Sequence, residues 1–412
     1  MGDSFTYEAE WTRGEGVVWS SSDPSVAEID AVTGAVTPVG FGTTVIKAAS
    51  ATAGYEDRFD THKLTVAPDV VLNLNVARRS LHVNGNGSSW SLQATLSPMP
   101  AEPSASDVVW ESSDPSIVSV TGGYQNGVYY GNLKTLKAGT VTITATYEAR
   151  KEFFAVCEIE SFQPAAGVTY NGAIDNINTL KYITNGNWYL ANDLDFEGVE
   201  ITGSYVTGTM VGSLDGKGYS IKNIKTGFRS NEVGFIHMMD GTANLSNVNF
   251  VNFEIGGEAA FQFGGLIREV NGNASVKNCY FEGSITARGS ANVARIGVIG
   301  SKWGNGSIEN CIFNVGMGDA ALSSDMHANP RAMIARWFNG TVAECVVNRD
   351  LLNGAKVYAA GNGDGASDKY TAAFKTEAQL KSVETFNESW SGWVLTENEY
   401  PQIRNAWNTF DA

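Results

Sequence analysis

The sequence predicts an all-β chain in which two small sandwiches precede a stacked coil of parallel strands. Two observations carry this reading. Between Gly234 and Asn348, four segments superimpose: NLSNVNF from Asn244, SVKNCYF from Ser275, SIENCIF from Ser307 and TVAECVV from Thr341. In the first third of the chain, Val-Val-Trp leading into Ser-Asp-Pro-Ser occurs twice, beginning at Val17 and at Val108.

The coil follows from the first observation. Val248, Cys279, Cys311 and Cys345 mark one column, spaced by 31, 32 and 34 residues, and self-similarity at this period is the signature of stacked-repeat architectures. Upstream of each lies a second apolar run, GFIHMM, GGLIRE, GVIGSK and AMIARW. Gly/Asn turns separate the runs: Asp240-Gly241, Asn271-Gly272-Asn273, Gly304-Asn305-Gly306 and Asn339-Gly340. Each run is short, β-branched or aromatic, and bounded by turn residues, so it reads as a strand. One turn of such a coil cannot bury its inward face, so turns must stack. Leu245, Val276, Ile308 and Val342 would then form an inward aliphatic column. Asn247, Asn278 and Asn310 would form an amide ladder at a bend, interrupted at Glu344. About five coils are expected, with a short helix in AIDNINTLKYI covering the first. An ordinary sandwich with coincidental spacing is the alternative.

The second observation predicts the sandwiches. Asp23-Pro24 and Asp114-Pro115 fit turns in which the Asp side chain accepts from backbone amides while Pro fixes φ. Trp19 and Trp110 are placed as core anchors between sheets, and period-2 strands at short spacing complete the pattern. The expected domains are 1–67, 68–160 and 161–412.

Composition narrows the function classes. Apolar residues make up 43% and charged residues 17% of the chain, with 45 Gly, which fits an extracellular β protein and not a disordered chain. A net charge of −16, with nothing that supplies a phosphate-neutralising patch, argues against nucleic-acid binding, so no nucleic-acid partner is expected. No run of 18 apolar residues occurs, so no transmembrane segment is expected. The opening MGDSFTYEAEW lacks a leader pattern, so the expectation is that an export signal, and a lipid anchor with it, was removed. Cys279, Cys311 and Cys345 share a column, where either a disulfide between adjacent coils or a stack of buried thiols would fit; the thiols are favoured. No pair has Cys-x-x-Cys spacing for zinc, and no cofactor is expected.

Residues Trp19 to Ala27 with Gly42-Thr43-Thr44, and Trp110 to Val118 with Gly139-Thr140-Val141, resemble bacterial Ig-like domains of group 2. The first copy departs from the pattern by being short at its N-terminus. The resemblance implies spacer or adhesion modules without chemistry of their own. Leu214-Asp215-Gly216-Lys217-Gly218-Tyr219, Val233-Gly234-Phe235-Ile236 and Phe263-Gly264-Gly265-Leu266-Ile267 resemble GLUG-motif and pectate-lyase-like proteins. That resemblance, over about 165–405, implies a right-handed, single-stranded parallel β-helix, with WVLTENEYPQIRN closing the last coil.

Catalytic chemistry in a stacked coil would appear as acids in neighbouring columns. A hydrolase needs paired carboxylates about 5–10 Å apart, and a lyase needs a base with a carboxylate-held cation or a basic residue. Aligned back from the turns, the columns read Asp240, Asn271, Trp303, Trp337, then Met239, Val270, Lys302, Arg336. Acids do not stack, and His237 and His327 lie far apart, so catalysis is disfavoured. Trp303 and Trp337 beside Lys302 and Arg336 form the candidate ligand platform, as an aromatic surface with adjacent cationic donors suits a sugar. Asp193 and Asp195 share a strand face and are weak candidates for a cation or an acid pair. The expected function is a non-enzymatic adhesin of the bacterial surface, with an outer-membrane setting, binding an extracellular glycan or protein as a monomer. The alternative is a polysaccharide lyase or glycoside hydrolase.

Overall fold

The computed structural model describes residues 4–9, 16–55, 57–66, 70–83, 90–228, 233–259, 265–286, 288–289, 297–302, 304–317, 331–338, 340–352, 357–360 and 374–408. Among them the α-helices are two single turns, Ile177–Leu180 and Glu377–Leu380, and strands build most of the architecture.

The second sandwich is the more complete of the two. Val108–Ser112, Gly139–Tyr147, Phe154–Phe162 and Arg78–His82 form one four-stranded sheet. Val118–Gln125, Val128–Thr135, Trp90–Ser97 and Val71–Leu74 form the other. Leu92, Val118, Tyr129, Ile143 and Ile159 are buried between them. Trp110 is buried as expected, and the space for its indole comes from Gly131, where a Cβ would lie 2.4 Å from the ring. Asp23 and Asp114 make the expected turns, their Oδ1 atoms accepting from the amides of Ser25 and Ser116 at 3.0 and 2.9 Å.

The first sandwich pairs Phe5–Thr6, Ala35–Pro38 and Ala27–Ile29 in one sheet, and Val17–Ser21, Gly42–Ser50 and Phe59–Val66 in the other. Counterparts of Val71–Leu74 and Arg78–His82 do not occur among its described residues. Its buried core is correspondingly small: Val26, Ala27, Val36 and Val66.

The coil is a parallel β-solenoid of three sheets with seven, nine and six strands. The six-stranded sheet has one rung more than the five coils expected. The four sequence repeats occupy four successive rungs, Asn244–Ser246, Ser275–Lys277, Ser307–Glu309 and Thr341–Ala343. Leu245, Val276 and Ile308 are fully buried, and Leu214 extends their column one rung earlier. A phenylalanine ladder stands beside it: Phe250, Phe281 and Phe313 stack with centroids 5.4 and 4.9 Å apart. Leu180 and Ile183, at and just after the Ile177–Leu180 turn, are buried in the same core. The cysteines are free thiols: Cys279, Cys311 and Cys345 are buried with Sγ directed at backbone carbonyls 3.2–3.8 Å away. Burial and the neighbouring thiols push Cys311 well above the ordinary thiol range. The Lys277–Glu309 pair crosses rungs at 3.0 Å.

The asparagine ladder forms in part. Asn247, Asn278 and Asn310 have φ of 57°, 51° and 52°, and Glu344 continues the same left-handed bend at 51°. Asn is tolerated there because its short amide bonds locally. Asn278 Nδ2 donates to Asn247 Oδ1 at 3.3 Å, and Asn247 Nδ2 donates to Asp215 Oδ1 at 2.9 Å. Asn310 instead donates to Ser389 O at 2.8 Å, and Glu344 Oε2 accepts from Asn387 at 3.3 Å, so the far end of the ladder holds the C-terminal segment. A second ladder, Asp195, Asn223 and Asn252, runs at another bend with bonds of 2.8 and 2.7 Å. Replacing Asn278 by Ala is expected to cost about 2 kcal/mol, one part from the lost bonds and one from the strained φ. Asn278→Gly should recover the backbone part, and chemical denaturation of the two variants separates the contributions.

The C-terminal segment corrects the expected closure of the last coil. It folds back along the flank of the coil instead. Leu380, Trp390, Trp393 and Ile403 pack on Tyr280, Ile312 and Val346, outward residues of three successive rungs. The segment then reaches the start of the coil, where Trp407 Nε1 donates to Tyr219 OH at 3.2 Å. Apolar residues on the outer face of the coil demand this cover, since an exposed stripe of Ile and Val would be unfavourable.

The second sandwich is docked on the first rungs. Arg78–His82 is a sheet edge, and its open side is covered: Ser80 N donates to Ala191 O at 2.8 Å, and Ser80 Oγ lies 2.9 Å from Tyr219 OH. Covering an edge in this way removes a template for unwanted pairing. Phe162, Ala173, Tyr189 and Ala191 form a buried cluster across the junction. The His82 ring sits among Phe162, Tyr170 and Tyr189, with centroids 5.6–6.3 Å away. Burial lowers its pKa below the ordinary 6.5. A histidine whose folded pKa is depressed is protonated more readily when unfolded, so stability rises with pH across that window. The junction is therefore expected to hold fully above about pH 6.5 and to weaken as pH falls below it. His82→Phe should flatten this dependence, read from melting curves between pH 5 and 8.

Candidate functional site

Three adjoining clefts form a groove where the returning C-terminal segment lifts away from the coil. The register of the coil explains its position. Ser220, Asn249, Tyr280, Ile312 and Val346 succeed one another on the outer face of one sheet. At Ile312 and Val346 this column is apolar and the segment packs tightly. Towards Asn249 and Ser220 it turns polar, and a gap opens.

The first cleft, about 1020 Å³, is bounded by Arg78 and Glu158 of the second sandwich, Asp193 and Tyr219 of the coil, and Gln402 and Trp407 of the segment. The second, about 650 Å³, shares Gly218, Glu399, Gln402, Asn405 and Asn408 with it and extends over Asn249, Tyr280 and Glu282. The third, about 570 Å³, continues from Glu282 and Tyr400 to Asn252 and Asn314.

Its phenols are held protonated. Tyr280 OH donates to Glu282 Oε2 at 2.8 Å and accepts from Asn314 Nδ2 at 3.1 Å; Asn314 Oδ1 in turn accepts from Asn348 at 2.8 Å. Burial, reinforced by Glu282, pushes the Tyr280 hydroxyl up. Burial pushes Tyr219 up to about 12, and burial with the nearby Glu377 does the same to Tyr400. Lys381 Nζ lies 4.6 Å from the Tyr400 ring centroid and 2.7 Å from Glu377.

Several acids of the groove are already engaged. Glu158 holds Arg78 at 2.7 Å, and Asp193 accepts from Ser220 N at 2.9 Å and Lys222 Nζ at 3.1 Å. Asp195 accepts from Glu197 N at 2.9 Å and begins the second amide ladder, which, with that amide, lowers its pKa. Asp193 and Asp195 do share an exposed face around buried Leu194, but each has a structural partner. No group of three or more His, Cys, Asp or Glu among the described residues could hold a metal.

The candidate platform is corrected in its register. Ile299–Lys302 pairs with Arg331–Phe338 so that Ser301 faces Trp337 and Lys302 faces Phe338. Arg336 and Lys302 are therefore not partners. Aligning back from the turns assumed strands of equal reach, whereas Arg331–Phe338 has eight residues against four in Ile299–Lys302. Trp303 itself lies outside the described residues, as do Phe263, Gly264 and His327.

Tyr280, Tyr400 and Trp407 were missed by sequence reasoning. A signal existed in the repeat, because the residue after the cysteine column changes from Asn249 to Tyr280, Ile312 and Val346. The partner segment that gives this change its meaning begins only at Leu380, a hundred residues beyond Tyr280.

The N-terminal domains match known families. Residues 13–52 match the intimin immunoglobulin-like domain, and residues 73–155 match the bacterial Ig-like domain of group 2. These matches fit a bacterial cell-surface or extracellular protein. An uncharacterized protein of Clostridium acetobutylicum is 32% identical over 146 residues, 35% of this chain and 14% of that protein. Solved structures with local likeness include the S-layer protein SbsC, 18% identical, covering 40% of this chain and 23% of that one with a TM-score of 0.20. Another is a candidate immunoglobulin A1 protease from Bacteroides ovatus, 16% identical over 56% of this chain and 91% of that one, with a TM-score of 0.29.

Proposed function

We propose that the chain is a non-enzymatic bacterial surface adhesin whose Ig-like domains, divided near residues 67 and 160, present the solenoid to an extracellular glycan. The observation that carries this reading is the groove itself, with phenols held protonated, amides at its rim and Glu158, Asp193 and Glu282 each bonded to a partner. Such a lining recognises hydroxyl groups by fixed donors and acceptors around aromatic surface. It supplies poor equipment for cleavage, which requires a carboxyl kept protonated or a free general base. The carboxyls whose ionisation is displaced, among them Asp195, Glu309 and Glu377, are displaced downward by hydrogen bonds.

The test is a glycan-array screen of the full chain beside a reducing-end assay on the same polysaccharides. Binding without release supports the reading. Release of reducing ends or of unsaturated uronates contradicts it and favours a lyase or hydrolase. The Trp337→Ala and Trp303→Ala variants, run in parallel, tell whether the tryptophan-bearing strand contributes.

A further inference from the structure

We infer that the groove beneath the returning C-terminal segment is the binding site, and that its ligand is an electrically neutral oligosaccharide lying along the coil axis. The inference rests on the glycan-binding reading above and adds the place and the chemical class.

The direction of the ligand comes from the rungs. The cleft-lining residues Tyr219, Asn249, Glu282 and Asn314 stand on or beside four successive rungs, so the floor rises through three rung steps. At about 4.8 Å per step that is roughly 14 Å, the span of a short oligosaccharide and more than a single sugar needs. The wall opposite is the stretch from Asn398 to Asn408, which lines both larger clefts. A linear chain between floor and wall meets side-chain amides on both sides, from Asn249 below and Gln402 and Asn405 above, with aromatic surface at Trp407 and Tyr400.

The class comes from charge. Glu158, Asp193, Glu254, Glu282 and Glu399 line the three clefts, against the cations Arg78 and Lys381. Both cations are paired, Arg78 with Glu158 at 2.7 Å and Lys381 with Glu377 at 2.7 Å. So are two of the acids, Asp193 with Lys222 at 3.1 Å and Glu254 with Lys225 at 3.0 Å, which leaves the excess at Glu282 and Glu399. Uronates and sulfated sugars would enter against this excess of negative charge, within a chain that already carries −16. Neutral hydroxyls, by contrast, find carboxylate acceptors and the side-chain amides of Asn249, Gln402 and Asn405.

The experiment uses the full chain and isothermal titration with three probes: cellohexaose, xylohexaose and hexagalacturonate. Saturable binding of a neutral hexasaccharide, at least tenfold weaker in the Glu399→Ala/Gln402→Ala double variant, is expected. Both residues are exposed, so the variant should keep the wild-type melting temperature. Unchanged affinity in that variant, with loss in Trp337→Ala, would overturn the assignment of the site while leaving glycan binding intact. Tighter binding of hexagalacturonate than of either neutral probe would overturn the class. No saturation by any probe, when the array shows a bound glycan of another kind, would overturn the inference alone; an array without any binding would remove the reading beneath it.

Discussion

Replacing Phe281 by Ala is expected to destabilise the solenoid by about 4 kcal/mol, in the range for truncating a buried aromatic side chain. Phe281 is fully buried between Phe250 and Phe313, and the ring pairs are close to parallel, at 5° and 17°. Removing it opens a void in the middle of a ladder, where neighbouring rungs cannot collapse because each is fixed by parallel strand pairing on both sides. The measurement is hydrogen exchange of the Tyr280–Ile285 strand, which should lose protection together with the strands on either side. Lys277→Ala, which removes only the surface pair with Glu309, should cost less than 1 kcal/mol and serves as the contrast. Equal effects from the two variants would contradict a coil held by its inward ladder.

Trp393→Ala should release the C-terminal segment at a cost of about 3–5 kcal/mol. Trp393 is buried, 5.4 Å from Trp390 between ring centroids, and belongs to the cluster that seals Tyr280, Ile312 and Val346. The inward core containing Phe281 and Leu245 is a separate cluster, so it should persist. Limited proteolysis then gives a characteristic pattern, with cleavage between Lys381 and Arg404 while the coil stays resistant. Because the segment is also the wall of the groove, the same variant should lose oligosaccharide binding. A variant that cuts readily yet binds as the parent does would separate the segment from the site.

What the sequence revealed depended on whether a residue's role is local. The inward column at Leu245, Val276 and Ile308 was legible because strand period and repeat length fix it together. The Asp-Pro turns and the buried Trp19 and Trp110 were legible for the same reason, since a turn and its flanking strand lie within a few residues. The alignment of Arg336 with Lys302 was off in register, because two rungs of unequal length cannot be aligned from their turns alone. Asp193 and Asp195 looked like a pair for a cation, yet their partners Ser220, Lys222 and Asn223 sit one rung later, beyond what strand alternation predicts.

The groove was invisible for a related reason. Its floor and its wall come from segments separated by more than eighty residues, and only the backward course of the C-terminal segment brings Trp407 to Tyr219. The same holds for the junction, where an edge strand of the second sandwich meets Ala191 of the coil. Local pattern predicted each body well and said little about how they meet.

Binding without turnover is the central claim, and mass spectrometry of a bound oligosaccharide tests it most directly. The full chain is incubated for a day with the tightest-binding glycan from the array, and the recovered ligand is weighed. An unaltered mass is the predicted result. Shortened products, hydrolysed or carrying a new double bond, would contradict it and turn the groove into an active site.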